Sequence, residues 1–117
     1  MKIRLTLAAQ HLEVGYNRGN ISALEVDLGS GFLSPGGPAS MDWMMKGADF
    51  SDCTMLDFGC GSGGPACLLA SRFGAHRVVG IDVGAYLVEL ACNAAEQQRL
   101  SDKISFQQVP GNQLPFG

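Results

Sequence analysis

Between residues 54 and 109, three short apolar runs alternate with two amphipathic stretches, and few folds accept that order. Thr54-Met55-Leu56-Asp57-Phe58 runs into Gly59-Cys60-Gly61-Ser62-Gly63-Gly64. Pro65 suits the first turn of a helix in which Ala66, Leu69, Ala70 and Phe73 recur at helical spacing until Gly74 stops it. Arg77-Val78-Val79-Gly80-Ile81-Asp82 is a second β-branched run. Tyr86 to Leu100 reads as a second helix, with Leu87, Leu90, Ala91 and Ala94 on one face and Glu89, Asn93, Glu96 and Gln97 on the other. Ile104-Ser105-Phe106-Gln107-Gln108-Val109 is a third strand. Strand, helix, strand, helix, strand predicts an α/β chain: a Rossmann-like parallel sheet with right-handed crossovers and helices on both faces.

The N-terminal part reads differently. Leu5, Ala8, Ala9 and Leu12 fit one apolar face of a helix over 5–14, a turn follows over 15–20, and 21–28 fits a second short helix. Residues 29–38 carry four Gly and two Pro and predict a loop. Ser40 is placed to cap a short helix through Trp43, Met44 and Met45 that stops at Gly47. The chain thus divides into a helical segment with its loop, 1–47, and a sheet domain, 48–117.

Composition excludes several classes. With 46% hydrophobic and 16% charged residues in a chain of 117, one folded domain is expected and disorder is not. No apolar stretch reaches the roughly 20 residues of a membrane helix. The apolar part of Met1 to Ala9 is too short for a signal peptide and is followed at once by His11 and Glu13, so a cytoplasmic protein is expected. A net charge of −3 without a Lys or Arg block argues against nucleic acid as a partner. Cys53, Cys60, Cys67 and Cys92 make no Cys-x-x-Cys pair and lie far in sequence from His11 and His76, so free thiols and no metal site are expected.

The chemistry falls at the ends of the strands. Glycines after the first core strand let a ligand approach the backbone, and the helix start offers N–H groups. Asp82 ends the second strand, where a carboxylate can accept both hydroxyls of a ribose. Gly59, Gly61 and Gly64 satisfy the G-x-G-x-x-G spacing of nicotinamide enzymes formally. Asp57 speaks against that alternative, because an acid facing a pyrophosphate is repelled, whereas it suits a ligand with a positive end. S-adenosylmethionine, with its sulfonium and ammonium, is such a ligand.

These residues resemble a family. Segment 54–116 is similar to the class I S-adenosylmethionine-dependent methyltransferases: Leu56-Asp57-Phe58-Gly59-Cys60-Gly61-Ser62-Gly63 looks like their first motif, Val78-Val79-Gly80-Ile81-Asp82 like their ribose-binding strand, and Leu114-Pro115-Phe116 like the end of the segment after strand three. Where the family places Gly-Asp-Ala, this chain has Val109-Pro110-Gly111, which leaves Gly111 and Asn112 on the adenine side. From Tyr16 to Gly37 the chain resembles phosphoethanolamine N-methyltransferases at Tyr16, Ile21, Glu25, Gly29, Gly31, Phe32, Ser34, Gly36 and Gly37, with Leu24 replacing an aromatic. The resemblance implies S-adenosyl-L-methionine as cofactor, S-adenosyl-L-homocysteine as product and a small-molecule acceptor, an amine. It also implies that 1–47 forms a lid. Cofactor contacts are implied for Leu33, Ser34, Asp57, Gly59, Cys60, Gly61, Asp82, Val83, Gly111 and Asn112, and a catalytic role beside the amine for Tyr16.

The family fold continues beyond a third strand, with a further strand covering the one formed here by 54–58. Within residues 1–117 that strand is expected to be a bare apolar edge, covered either by a C-terminal half or by a second copy in a homo-oligomer. Two other functions stay open at this level: a non-catalytic, self-associating cofactor module, and half of a nicotinamide-dependent oxidoreductase.

Overall fold

The computed structural model describes residues 3–7, 18–19, 21–22, 25, 29–33 and 37–111. Among the described residues these elements follow one another: β1 (Ile3–Leu7), α1 (Gly37–Met44), β2 (Thr54–Phe58), α2 (Gly64–Ser71), β3 (Arg77–Asp82), α3 (Ala85–Gln97) and β4 (Ile104–Gln108). The strands lie side by side in chain order, β1-β2-β3-β4, and every pair is parallel. The Rossmann-like parallel sheet expected from the alternating runs is therefore present, with Pro65 in the first turn of α2 as its sequence required.

The register assigns each residue to a face. Met55 pairs with Val78, Asp57 with Gly80, and Val78 and Gly80 in turn with Ile104 and Phe106. Alternation puts all of these on one side. There Met55, Val78 and Ile104 join Phe50, Leu69 and Ala95 in the main core. The other side carries a smaller cluster of Leu56, Ile81 and Val109 with Val79 against it.

Among the described residues the helices share the first face, with α2 touching both α1 and α3. Helices on both faces were expected. Crossovers that all step in the same direction across a sheet, and all turn right-handed, place their helices on the same side. Helix α2 is buried almost all round, at Gly64, Ala66, Cys67, Leu69 and Ala70, because it lies between the sheet and its two neighbours.

The N-terminus departs most from expectation. Leu5 to Leu7, read as the start of a helix, belong to β1, whose five residues pair with β2 from Ile3↔Thr54 to Leu7↔Phe58. Ile3-Arg4-Leu5-Thr6-Leu7 alternates apolar and polar residues at strand period, and an open strand edge recruits such a run. The edge of β2 is therefore not bare, and the homo-oligomer expected from it loses its premise. Helix α1 starts at Gly37, earlier than the expected cap at Ser40, because Pro38 suits a first turn. Residues 18, 19, 21, 22 and 25 have helical backbone, which agrees with the short helix expected over 21–28 at three of its positions and overrides the turn expected at 18–19. Residues 8–14 of the other expected helix lie outside the described residues.

Gly80 shows how tightly β3 and β4 close. A Cβ there would stand 2.5 Å from Phe106 Cδ1, 2.7 Å from Phe106 Cε1 and 3.0 Å from Cys60 Cβ. Gly80→Ala is expected to cost about 1–3 kcal/mol through overpacking. Adding Phe106→Leu recovers part of that loss, and strictly additive costs in urea unfolding would refute the contact.

Candidate functional site

Asp57 is the fourth residue of β2 and, by strand alternation, lies on the helix-covered face with Met55. It is 0% exposed, and among the described residues neither carboxyl oxygen has a hydrogen-bond partner. Burial, and then the charge of Asp82, raise its pKa from 3.8 to about 7. A buried ionised carboxylate without a partner is costly, and native chains keep one mainly where a ligand or a reaction uses it.

Asp82 closes β3 two residues beyond Gly80, on the same face, and is 2% exposed. Its Oδ2 accepts the Gly61 N–H at 2.9 Å and its Oδ1 accepts the Gly84 N–H at 2.9 Å. One side chain thus joins the turn after β2 to the turn after β3.

The glycine loop does not offer the open row of N–H groups that its sequence suggested. Gly59 and Cys60 donate to Ile81 O at 2.8 and 2.9 Å, Gly63 to Cys60 O at 3.1 Å, and Gly64 to Gly31 O at 2.9 Å. Cys60, expected to contact the cofactor, gives its N–H to the end of β3. The cause is geometric: a loop that doubles back over its own strand ends uses those ends as acceptors. What glycine supplies is left-handed backbone at Gly59, Gly61 and Gly63, with φ of 74°, 56° and 95°, and closeness. A Cβ on Gly63 would stand 2.9 Å from Ala91 Cβ, and one on Gly64 would collide with Gly31 O.

The remaining expected residues gather around this loop. Leu33 lies across Gly61, its Cδ1 3.3 Å from where a Cβ would stand. Val109 donates its N–H to Asp82 O at 2.9 Å, which draws the chain after β4 beside the site. There Gly111 approaches Val83, with 3.6 Å between its Cβ position and Val83 Cγ1, and Val83 is 39% exposed. Cys60 is buried, and its surroundings with Asp57 and Asp82 push its thiol well above the usual range, so it is a neutral group and not a nucleophile. Tyr16, Ser34, Asn112 and Leu114–Phe116 lie outside the described residues. Arg18, two residues after Tyr16, stacks over the Tyr86 ring at 5.0 Å, at the start of α3.

Three features were not singled out from sequence. Gly31 and Gly64 press backbone on backbone, Gly84 supplies the second donor to Asp82, and Ser62 is 3% exposed, its Oγ without a partner among the described residues. The doubled glycines at 63–64 were the available signal for the first. Nothing in the sequence marked the other two.

Residues 55–117 match the family model described as a methyltransferase domain. The chain is 41% identical over 63 residues to sterol 24-C-methyltransferase of Pneumocystis carinii, covering 54% of this chain and 16% of that protein. It is 36% identical over 76 residues to ribosomal protein L11 methyltransferase of Colwellia psychrerythraea, covering 65% of this chain and 25% of that protein. The chain therefore spans a quarter or less of these two curated relatives. Geranyl diphosphate C-methyltransferase of Streptomyces coelicolor A3(2), solved with Mg2+, geranyl diphosphate and S-adenosyl-L-homocysteine, superposes with a TM-score of 0.60 at 26% identity, over 92% of this chain and 37% of that one. Fold, loop and family model agree: the chain belongs to the methyltransferase-domain family.

Proposed function

We propose that this chain is the cofactor-binding portion of an S-adenosyl-L-methionine-dependent methyltransferase that acts on a small molecule, an amine. The observation that carries the reading is Asp57, a wholly buried carboxylate whose two oxygens have no partner among the described residues. A cationic ligand end fits it, and the backbone closeness at Gly59 to Gly63 admits that ligand to it. S-adenosyl-L-methionine, when bound, supplies an electrophilic methyl on a positively charged sulfur.

The chain's own residues hold and orient. Asp57 neutralises the cationic end, and Asp82, already fixed by two backbone donors, accepts the ribose hydroxyls. Val83 and Gly111 flank the adenine, with Asn112 beside them, while Leu33, Ser34, Gly59, Cys60 and Gly61 enclose the middle of the ligand. Tyr16 stands beside the acceptor amine. Of the expected lid 1–47, Ile3–Leu7 belongs to the sheet; the segment that follows it, up to residue 47, acts as the lid, and β1 with 48–117 as the cofactor domain. Rate enhancement in such a site comes from positioning and charge, with no covalent enzyme intermediate.

The named relatives act on a sterol, on a ribosomal protein and on geranyl diphosphate, so the acceptor class varies across the family. The amine reading rests on the 16–37 resemblance. The nicotinamide alternative gains nothing from the family match, and self-association is not part of the proposal now that β1 covers the edge of β2. Among the described residues no helix is long and apolar enough to cross a membrane.

Calorimetric titration tests the cofactor: S-adenosylhomocysteine should bind and NAD should not. Asp82→Ala should weaken S-adenosylhomocysteine about ten- to hundredfold, the cost of hydrogen bonds to a charged group. Equal dissociation constants for parent and variant would refute the ribose role.

The raised pKa of Asp57 generates a second prediction. Below about pH 7 its carboxyl is protonated in the free chain, and a cationic ligand must expel that proton. Affinity should therefore fall by up to about tenfold per pH unit from pH 7 down to 5, a window in which the ligand's own α-ammonium stays charged. Stability runs the other way. Between 3.8 and about 7 the folded chain binds more protons at Asp57 than the unfolded chain, so its contribution declines as pH rises through that window. Asp57→Asn should abolish the ligand's pH slope, bind it far more weakly, and melt higher at pH 8, by about 4–8 °C for each kcal/mol relieved. A variant that melts lower and binds normally would overturn this role.

A further inference from the structure

The N-terminal segment meets the sheet domain at a contact that the cofactor site leaves unused. The Arg18 guanidinium carbon stands 5.0 Å from the centroid of the Tyr86 ring, within the range of a cation–π interaction. Arg18 is exposed and Tyr86 half-buried. Tyr86 is the second residue of α3, so the guanidinium lies at the positive end of that helix, where the dipole opposes a cation. The ring face therefore supplies the attraction. Residues 18, 19, 21 and 22 have helical backbone, on which Arg18 and Ile21, three apart, share a face. Ile21 is 2% exposed. A buried aliphatic residue and a stacked cation thus hold one short stretch of chain at adjacent points.

The turn beneath Tyr86 is the one that carries Asp82. Gly84 donates its N–H to Asp82 Oδ1 at 2.9 Å, and its carbonyl accepts the Val88 N–H at 3.0 Å in the first turn of α3. On the other side of the contact, Arg18 follows Tyr16 by two residues, which keeps their Cα atoms within about 7 Å of each other. We propose that Arg18 and Tyr86 are positioning residues, a latch that sets the segment bearing Tyr16 against the turn bearing Asp82. The proposal rests on the methyltransferase reading, in which Tyr16 stands beside the acceptor and Asp82 holds the ribose. Closing the latch and filling the ribose site then favour each other by the same factor.

The strap that follows is fixed by other means. Gly64 donates its N–H to Gly31 O at 2.9 Å, and Phe32, 6% exposed, belongs to the main core. These contacts involve neither Arg18 nor Tyr86, so an opened latch leaves the strap in place. An exposed cation–π contact gives about a two- to fivefold preference for the closed form, small enough for a ligand to enter and leave.

Amide hydrogen exchange tests the latch without any ligand. In Arg18→Gln and Tyr86→Leu, exchange at Ile21, Ser22 and Glu25 should quicken about two- to fivefold, while Val79 and Ile81 inside β3 exchange as in the parent. Arg18→Lys keeps a cation and Tyr86→Phe keeps the ring, so both should stay close to the parent. Rapid mixing then tests the positioning: S-adenosylhomocysteine should leave Arg18→Gln and Tyr86→Leu about two- to fivefold faster, and the conservative pair at the parental rate. Should Tyr86→Leu unfold, Arg18→Gln, at an exposed side chain, carries both comparisons. Unchanged exchange in Arg18→Gln, equal quickening in β3, or equal effects of Tyr86→Phe and Tyr86→Leu would overturn the latch. Quickened exchange with one common dissociation rate would overturn its positioning role. A parent chain that does not bind S-adenosylhomocysteine would overturn the methyltransferase reading and that role with it, while the exchange result still decides the latch.

Discussion

The Asp82 carboxylate is the joint on which the site depends. Two turns leave the sheet at the same end, one after β2 and one after β3, and neither has a side-chain cap of its own. Asp82 bonds the backbone of both, at Gly61 and Gly84. The Ile81 carbonyl next to it receives Gly59 and Cys60, and the Asp82 carbonyl receives Val109. The end of one strand thus fixes three loops that sequence keeps far apart. Because charge-assisted bonds to backbone N–H groups are among the stronger ones, this order exists before any ligand arrives.

Anchoring three loops on Asp82 has a cost that Asp57 bears. Its own burial and then the neighbouring Asp82 raise the pKa of the Asp57 carboxyl to about 7. Stability is lower than a neutral residue would give, and a binding determinant is gained; strained groups of this kind are usual at functional sites.

The sheet domain was legible in the sequence because each element there carries a complete local signal. The strands at 54–58 and 77–82 are largely apolar, the one at 104–108 alternates Ile104 and Phe106 with polar residues, all are bounded by glycine or polar turns, and Pro65 and Gly74 punctuate the first helix. The first strand was not legible. Five residues with Ile3, Leu5 and Leu7 alternating look like the beginning of a helix when Ala8, Ala9 and Leu12 follow, and only the free edge of β2 decides between the two periods. The site was legible as residue types, since Asp57, Asp82 and the glycines converge. The hydrogen-bond economy was not, because which donors remain open depends on how the loop folds back, and no spacing rule encodes that.

That economy separates two ligands that the same strand-loop-helix unit could serve. A pyrophosphate is held by N–H groups at a helix start and is repelled by carboxylates. Here the N–H groups of Gly59, Cys60, Gly61, Gly63 and Gly64 are all engaged within the chain, and two buried carboxylates stand at the strand ends. Recognition must then come from negative side chains and from backbone closeness, and both favour a ligand with a cationic end and a sugar hydroxyl pair. The glycine spacing alone fits either ligand; the charge of Asp57, four residues into β2, is what divides them.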